Sequence, residues 1–227
     1  MNETGNEVVI RVRGEHEREV PAERGTAQLV VHAQGPEPGP VRSQVQADSA
    51  SVLADVRAWH DPEAGPVRRI VVDQVRTSVQ QPSHRGRPRP PIHHASVSVS
   101  VEFDDVARLG SWLSALNGVG SVGVRGIGWD LADDHRRGLE REARQEAVRQ
   151  ARERAQDYAD ALDLGTVRPR SIADVGLLEG RPAPFAVARS LAAPAAGGAS
   201  ESDDGLGALL EPDDVTIRAT VEAEFVV

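Results

Sequence analysis

The stretch Ala147–Gly165, AVRQARERAQDYADALDLG, decides how the rest of the chain is read. Alanine recurs at every fourth position, Ala143, Ala147, Ala151, Ala155 and Ala159, and Arg, Glu and Asp fill most of the gaps. Opposite charges at i,i+3 and i,i+4 in RRGLEREARQEAVRQARERAQD make a solvated outer face that needs no ligand to explain it. The pattern predicts a helix from about Asp133 to Asp163, with Gly165 placed to cap its C-terminus. A step of four residues overshoots a full turn by about 40°, so the alanine series alone would spiral around the axis. Val148, Ala151, Ala155, Tyr158 and Leu162 keep the 3,4 alternation of a straight stripe and are expected to face inward. So little side chain suits a flat pleated surface better than the ridges of another helix.

Working outward, the neighbouring segments supply that surface. EVVIRVRG alternates with Val8, Ile10 and Val12 on one side, and TAQLVVHA does so with Ala27, Leu29, Val31 and Ala33, the period of half-buried strands. EREVPAERG between them reads as a connection. After GPEPGP, Val41, Val45, Val52, Val56 and Trp59 follow at helical spacing. VRRIVVDQVRTSV is predicted as one strand and QQPSHRGRPRPP as a loop. In ASVSVSVEF, Ala95, Val97, Val99, Val101 and Phe103 face one way, and Ser96, Ser98, Ser100 and Glu102 the other, which implies a core side opposite a wet or interface-forming side.

Asp104 or Asp105 can cap a helix carrying Val106, Leu109, Trp112, Leu113 and Leu116. The strand NGVGSVGVRGIGWDL changes parity between Val122 and Val124 on one register and Ile127, Trp129 and Leu131 on the other. A bulge near Arg125 or Gly126 reconciles them. TVRPRSIADVG and DVTIRATVEAEFVV are predicted strands, the latter with Val215, Ile217, Ala219, Val221, Ala223, Phe225 and Val227 inward. Residues 180–212, rich in Pro, Ala, Gly, Ser and acids, are expected to form a flexible loop. The fold class is therefore α+β, antiparallel sheets against helices in the order ββαββαβαββ. Two βαβ-like halves are expected to share a sheet system covered by the long helix. The whole of 1–227 forms one domain, or two intimate α/β subdomains.

Composition narrows the function classes. The 227 residues can bury roughly three quarters of their unfolded surface, and the stock is 39% hydrophobic but 3% aromatic, so the core is aliphatic. A net charge of −9 works against general affinity for phosphate backbones or anionic membranes. Without cysteine there is no thiolate nucleophile and no disulfide framework. MNETGNEVVIRVRG has neither the basic n-region nor the apolar h-region of a signal peptide, so a cytoplasmic location is expected, or a periplasmic or secreted one for a trimmed chain. No apolar run approaches the roughly 20 residues of a membrane span.

Candidate chemistry is sparse. GVGSVG, Gly118–Gly123, matches G-x-G-x-x-G, but a helix precedes it and a strand follows, the reverse of a dinucleotide fingerprint. His93 and His94 are adjacent, and in a strand they point to opposite faces and cannot chelate one ion together. His16, His32, His60, His84 and His135 show no ligand spacing. HRGRPRPP is basic but lacks interleaved aromatics, and ESDD reads as a solubilising run. No catalytic, cofactor-binding or metal-binding residue is therefore assigned, and no cofactor is expected.

The opening IRVRGEHEREVPAERGTAQLVV, together with VRTSVQQP, HHASVSVSVEFDDVARLGSWLSAL and VRGIGWDLADDHRRGLEREARQEAVRQARERAQDYADALDLG, resembles the SIMPL family (DUF541) over about Val8 to Val227. Arg24-Gly25 stands where the family often has an acidic residue, and EPDD replaces its usual Pro-Gly turn. The family includes bacterial outer-membrane or periplasmic immunogenic proteins linked to oxidative-stress defence. The resemblance implies an α+β fold, in some cases ring-like or channel-like oligomers, and no catalytic residues to carry over. The expected function is thus a non-enzymatic, self-assembling protein of stress defence, a homo-oligomer without nucleic-acid or membrane partners. Two alternatives are a small-ligand binder or enzyme with a pocket between sheet and helices near Trp129, Arg125 and His94, and an adaptor docking a protein through the Ser-faced strand or the 180–212 loop.

Overall fold

The computed structural model describes residues 7–84, 87–178 and 210–227. Its elements in chain order are β1 (Val9–Val20), β2 (Arg24–Gly35), α1 (Pro38–Ala58), β3 (Val67–Val72), β4 (Arg76–Gln80), the two-residue β5 (Ser83–His84) and β6 (Arg87–Pro88), β7 (Ile92–Phe103), α2 (Val106–Leu116), β8 (Val122–Asp130), α3 (Asp133–Ala161), β9 (Arg168–Asp174) and β10 (Val215–Val226). The class is α+β, as the periodicities predict. The run VRRIVVDQVRTSV, predicted as one strand, is two, and the predicted loop after it carries the small β5–β6 ladder. The expected flexible loop at 180–212 lies outside the described residues apart from its last three.

The chain divides into two compact units. In the first, β1, β10 and β9 form an antiparallel sheet with the last strand in the centre, and α3 lies on it. Among the described residues the two halves do not share a sheet, contrary to expectation, and α3 packs on β1 of the three-stranded one. Its buried residues are Leu139, Ala143, Ala147, Ala151, Ala155 and Ala159. The straight stripe predicted from the sequence is thus corrected: Val148, Tyr158 and Leu162 are 37%, 52% and 63% exposed, while the i+4 alanine row is inside. That row is inclined by about 26° to the helix axis, and a right-twisted strand turns with it where a straight partner would leave it.

The end of α3 also differs from the reading of Gly165 as its cap. Asp163 takes the left-handed conformation at φ 58°. The Leu164 N–H donates to the Ala159 carbonyl (2.9 Å) and the Asp163 N–H to the Asp160 carbonyl (3.1 Å), which is the Schellman arrangement. Gln156 then fastens the exit: its Nε2 donates to the Gly165 carbonyl (2.9 Å) and its Oε1 accepts from the Val167 N–H (3.0 Å).

The segment Glu17–Val20, read as connection, continues β1. Glu17 there ends a row of charges, with Arg11, Arg13 and Glu15, that pairs across the outer face of the sheet. Arg11 meets Glu224 at 2.6 Å and Arg13 meets Glu222 at 2.9 Å, while Arg218 of β10 lies 3.6 Å from Glu15 and 3.8 Å from Glu17. Cross-strand pairs of opposite charge stabilise a ladder that hydrophobic alternation alone does not reveal.

In the second unit the sheet order is β3-β7-β2-β8, with β4 also on β7. The central pair runs unbroken from Gly25 opposite Phe103 to Gly35 opposite His93. Ala27, Leu29 and Val31 from β2 and alternate residues Ala95 to Phe103 from β7 form the core face, on which α1 lays Val41, Val45, Val52, Leu53 and Val56, and α2 lays Leu109, Trp112 and Leu113. Full burial of each large aliphatic side chain contributes roughly 1.5–3 kcal/mol. Phe103 and Trp112 meet with ring centroids 5.4 Å apart. Of the two proposed caps of α2, Asp105 accepts from the Arg108 N–H at 3.0 Å. In β8, Gln28 pairs with Gly126 and Leu29 with Val124, so Arg125 is the extra, bulged residue that the parity change predicts.

Candidate functional site

Both helices of the five-stranded unit lie on one face of its sheet, which leaves the other face to the polar residues. Along β7 that face carries Ser96, Ser98 and Ser100, opposite His32, Val30 and Gln28 of β2. On β8 it carries Gly123, Gly126 and Gly128, in register with Val30, Gln28 and Thr26. Gln28, His32, Arg125, Gly126 and Gly128 are exposed and the serines are half-buried. Strand alternation alone produces this surface, with the small side chains of SVSVS giving it low relief.

Two irregularities meet the central strands near one level. On one edge the bulge turns Arg125 out beside Gln28 and Leu29. On the other, β3 gives way to β4 at Asp73, whose N–H donates to the Ser98 carbonyl at 3.0 Å. Between them is an open cleft of about 260 Å³ lined by Gln28, Val71, Asp73, Ser98, Ser100 and Arg125. Asp73 was missed in the sequence. Its signal is the polar Asp73-Gln74 step inside an otherwise β-rich run.

No hydrogen bond among the described residues joins His32 to Ser96, its neighbour in register. Among the described residues no three His, Asp or Glu groups are placed to hold a metal ion. One end of the same sheet holds a charge cluster that sequence reading also missed. Arg24 lies 2.9 Å from Asp104 and 3.4 Å from Glu102, and Arg68 donates to Asp104 and, at 3.0 Å, to the Pro62 carbonyl. These four side chains are 19–26% exposed, and their charges balance.

Among the described residues two carboxyl groups are shifted, both downward. For Asp61 the cause is the backbone N–H groups of Glu63 and Ala64, which it accepts at 2.8 and 3.2 Å in a turn. For Glu222 it is first the Arg13 guanidinium and then the Gly176 N–H. Turn and ladder account for both.

The pocket expected near Trp129, Arg125 and His94 does not form. Trp129 pairs with Gly25, Arg125 bulges beside Gln28, and His94 pairs with Gln34. Nine residues of β2 separate the ends of that set, roughly 30 Å at 3.3 Å per residue. His93 and His94 instead border a groove at the start of α1 with Pro38, Val41 and Arg42. His94 Nε2 is buried there without a hydrogen-bond partner among the described residues. GVGSVG is a turn after α2, with Gly118 at φ 88°, leading into β8. ESDD lies outside the described residues.

A family model described as SIMPL, protein of unknown function (DUF541), matches residues 10–225. The chain belongs to the SIMPL family. No curated protein matches it. The match begins in β1 and ends in β10, so the SIMPL pattern takes in both sheets and α3. The Ser-faced sheet and the alanine row both lie within the matched residues. Among its described residues no helix is long and apolar enough to cross a membrane.

Proposed function

We propose that this SIMPL protein is a non-enzymatic, self-associating component of stress defence. The observation that carries the reading is the open face of the five-stranded sheet. It is largely polar and open, with the small side chains of Ser96, Ser98 and Ser100 along β7, which favours a broad contact over the enclosure of a substrate. Its cleft of about 260 Å³ falls short of the roughly 300–1,000 Å³ of ordinary ligand pockets. The part in stress defence comes from the family resemblance. Sedimentation velocity from roughly 5 to 500 µM tests association, because a surface of this size pairs in the weak range. A sedimentation coefficient that rises with concentration supports the reading, and one that stays monomeric throughout removes it.

A second reading, a small-anion binder, is favoured by the groove at the start of α1. Its lining includes Arg42, His93, Thr77 and Ser78 and no carboxylate, in a chain of net charge −9. Thermal-shift titration with inorganic phosphate and with small carboxylates tests it, since a ligand at 100 times its dissociation constant stabilises by about 2.7 kcal/mol. A flat titration eliminates it.

A further inference from the structure

Resting on the self-association proposed above, we infer that the partner is a second copy of this chain, seated face to face on the Ser-lined sheet with Arg125 of one copy against Asp73 of the other. Both side chains are exposed, and neither makes an ion pair among the described residues. They stand on opposite edges of the same face, Arg125 on β8 and Asp73 between β3 and β4. The three strand spacings between them span about 14 Å.

A two-fold axis along the strands, between β2 and β7, exchanges the two edges. It carries β8 of one copy over the β3–β4 edge of the other. Asp73 lies level with Ser98, which pairs with Val30, and Arg125 bulges between Gln28 and Leu29. The offset along the strand is under two residues, within reach of an arginine. Because a two-fold contact is isologous, each such pair is made twice. The same operation brings Arg69, level with Glu102, to within two residues of the level of Asp130 of the second copy, which pairs with Arg24. The same axis sets the β7 serines over Gln28, Val30 and His32 of the second copy and the β8 glycines over its β3 edge, so small side chains meet larger ones at the usual sheet spacing of about 10 Å.

The magnitude of the contact follows from its dimensions. From Thr26 to Gln34 the face is roughly 26 Å long and about 19 Å wide, or about 500 Å² per copy. Standard interfaces bury about 800 Å² per partner, so this pairing belongs to the weak, salt-sensitive class.

The experiment is sedimentation velocity on the full chain, Arg125→Glu, Asp73→Arg and the double swap, each confirmed folded by its thermal melt. The expected result is that each single swap weakens association by at least about tenfold, that the double swap restores most of it, and that added salt weakens the wild type. Wild-type association that both single swaps leave unchanged, or a loss that the double swap fails to rescue, overturns this interface and leaves self-association standing. A wild type that is monomeric at every concentration overturns both.

Discussion

A Cβ built on Gly14 of β1 would stand 1.9 Å from the carbonyl oxygen of Ala147 in α3, and 2.8 Å from the Ala151 amide nitrogen. Strand and helix thus meet backbone to backbone, and Arg154 of α3 reinforces the contact by donating to the Arg13 carbonyl at 2.6 Å. This contact is the reason for the alanine row, because any larger side chain at Ala147 or Ala151 would hold β1 away from the helix.

Gly14→Ala is accordingly expected to destabilise the chain by about 3 kcal/mol, as overpacking against rigid backbone does. Ala151→Leu should cost a similar amount, whereas Val148→Ala, on the exposed flank, should stay within about 0.5 kcal/mol. Urea unfolding of the three variants checks the ranking. Equal effects at Ala151 and Val148 would contradict the inward alanine row.

Asp163 holds the left-handed conformation at the end of α3, where glycine carries no Cβ penalty. Asp163→Gly is expected to raise stability by about 0.5–1 kcal/mol despite the added freedom of the unfolded chain. The same substitution at an interior helix position such as Arg152 should lower it by about 1 kcal/mol. The shift in melting temperature distinguishes the two signs.

Removal of the Asp104 carboxylate leaves two arginines, Arg24 and Arg68, beside the single carboxylate of Glu102 in a site only 19–26% exposed. Asp104→Ala should therefore cost about 2 kcal/mol, between the values for exposed and fully buried ion pairs. Asp105→Ala, next in sequence, removes the N-cap of α2 and should cost about 1 kcal/mol. The difference is readable in denaturant midpoints.

Glu222 titrates below its ordinary value because Arg13 and the Gly176 N–H stabilise its charged form. The unfolded chain then takes up this proton at a higher pH than the folded one. The contribution is full above about pH 4.3 and is lost as the pH falls through the lower folded value. Glu222→Gln should lower stability near neutrality by less than about 1 kcal/mol, the scale of an exposed pair, and should make the loss below pH 4 shallower. Melting curves across pH 3–7 test the sign, and a variant whose acid limb parallels the wild type would count against it.

The sequence by itself determined the class, the order of the main elements and much of the burial. Period-two alternation placed Ala95 to Phe103 on a core face and Ser96 to Glu102 opposite. The parity change in VGVRGIGWD announced the Arg125 bulge, because inserting one residue is the way a single strand keeps both registers against one partner. These signals are local, set by the two-residue strand repeat and the helical turn. Tertiary structure alone decided which faces meet. The inward row of α3 follows the twist of β1, which no helical wheel contains, so of the predicted stripe Ala151 and Ala155 face inward while Val148, Tyr158 and Leu162 do not. Likewise, β1 extends to Val20 beside β10, whose Arg218 meets Glu15 and Glu17 from some 200 positions away. Asp73 and Arg125 reach opposite edges of one face only through the strand order β3-β7-β2-β8. Pairing order and twist are long-range properties, fixed when separate segments close on one another, and a single segment carries no record of its neighbour.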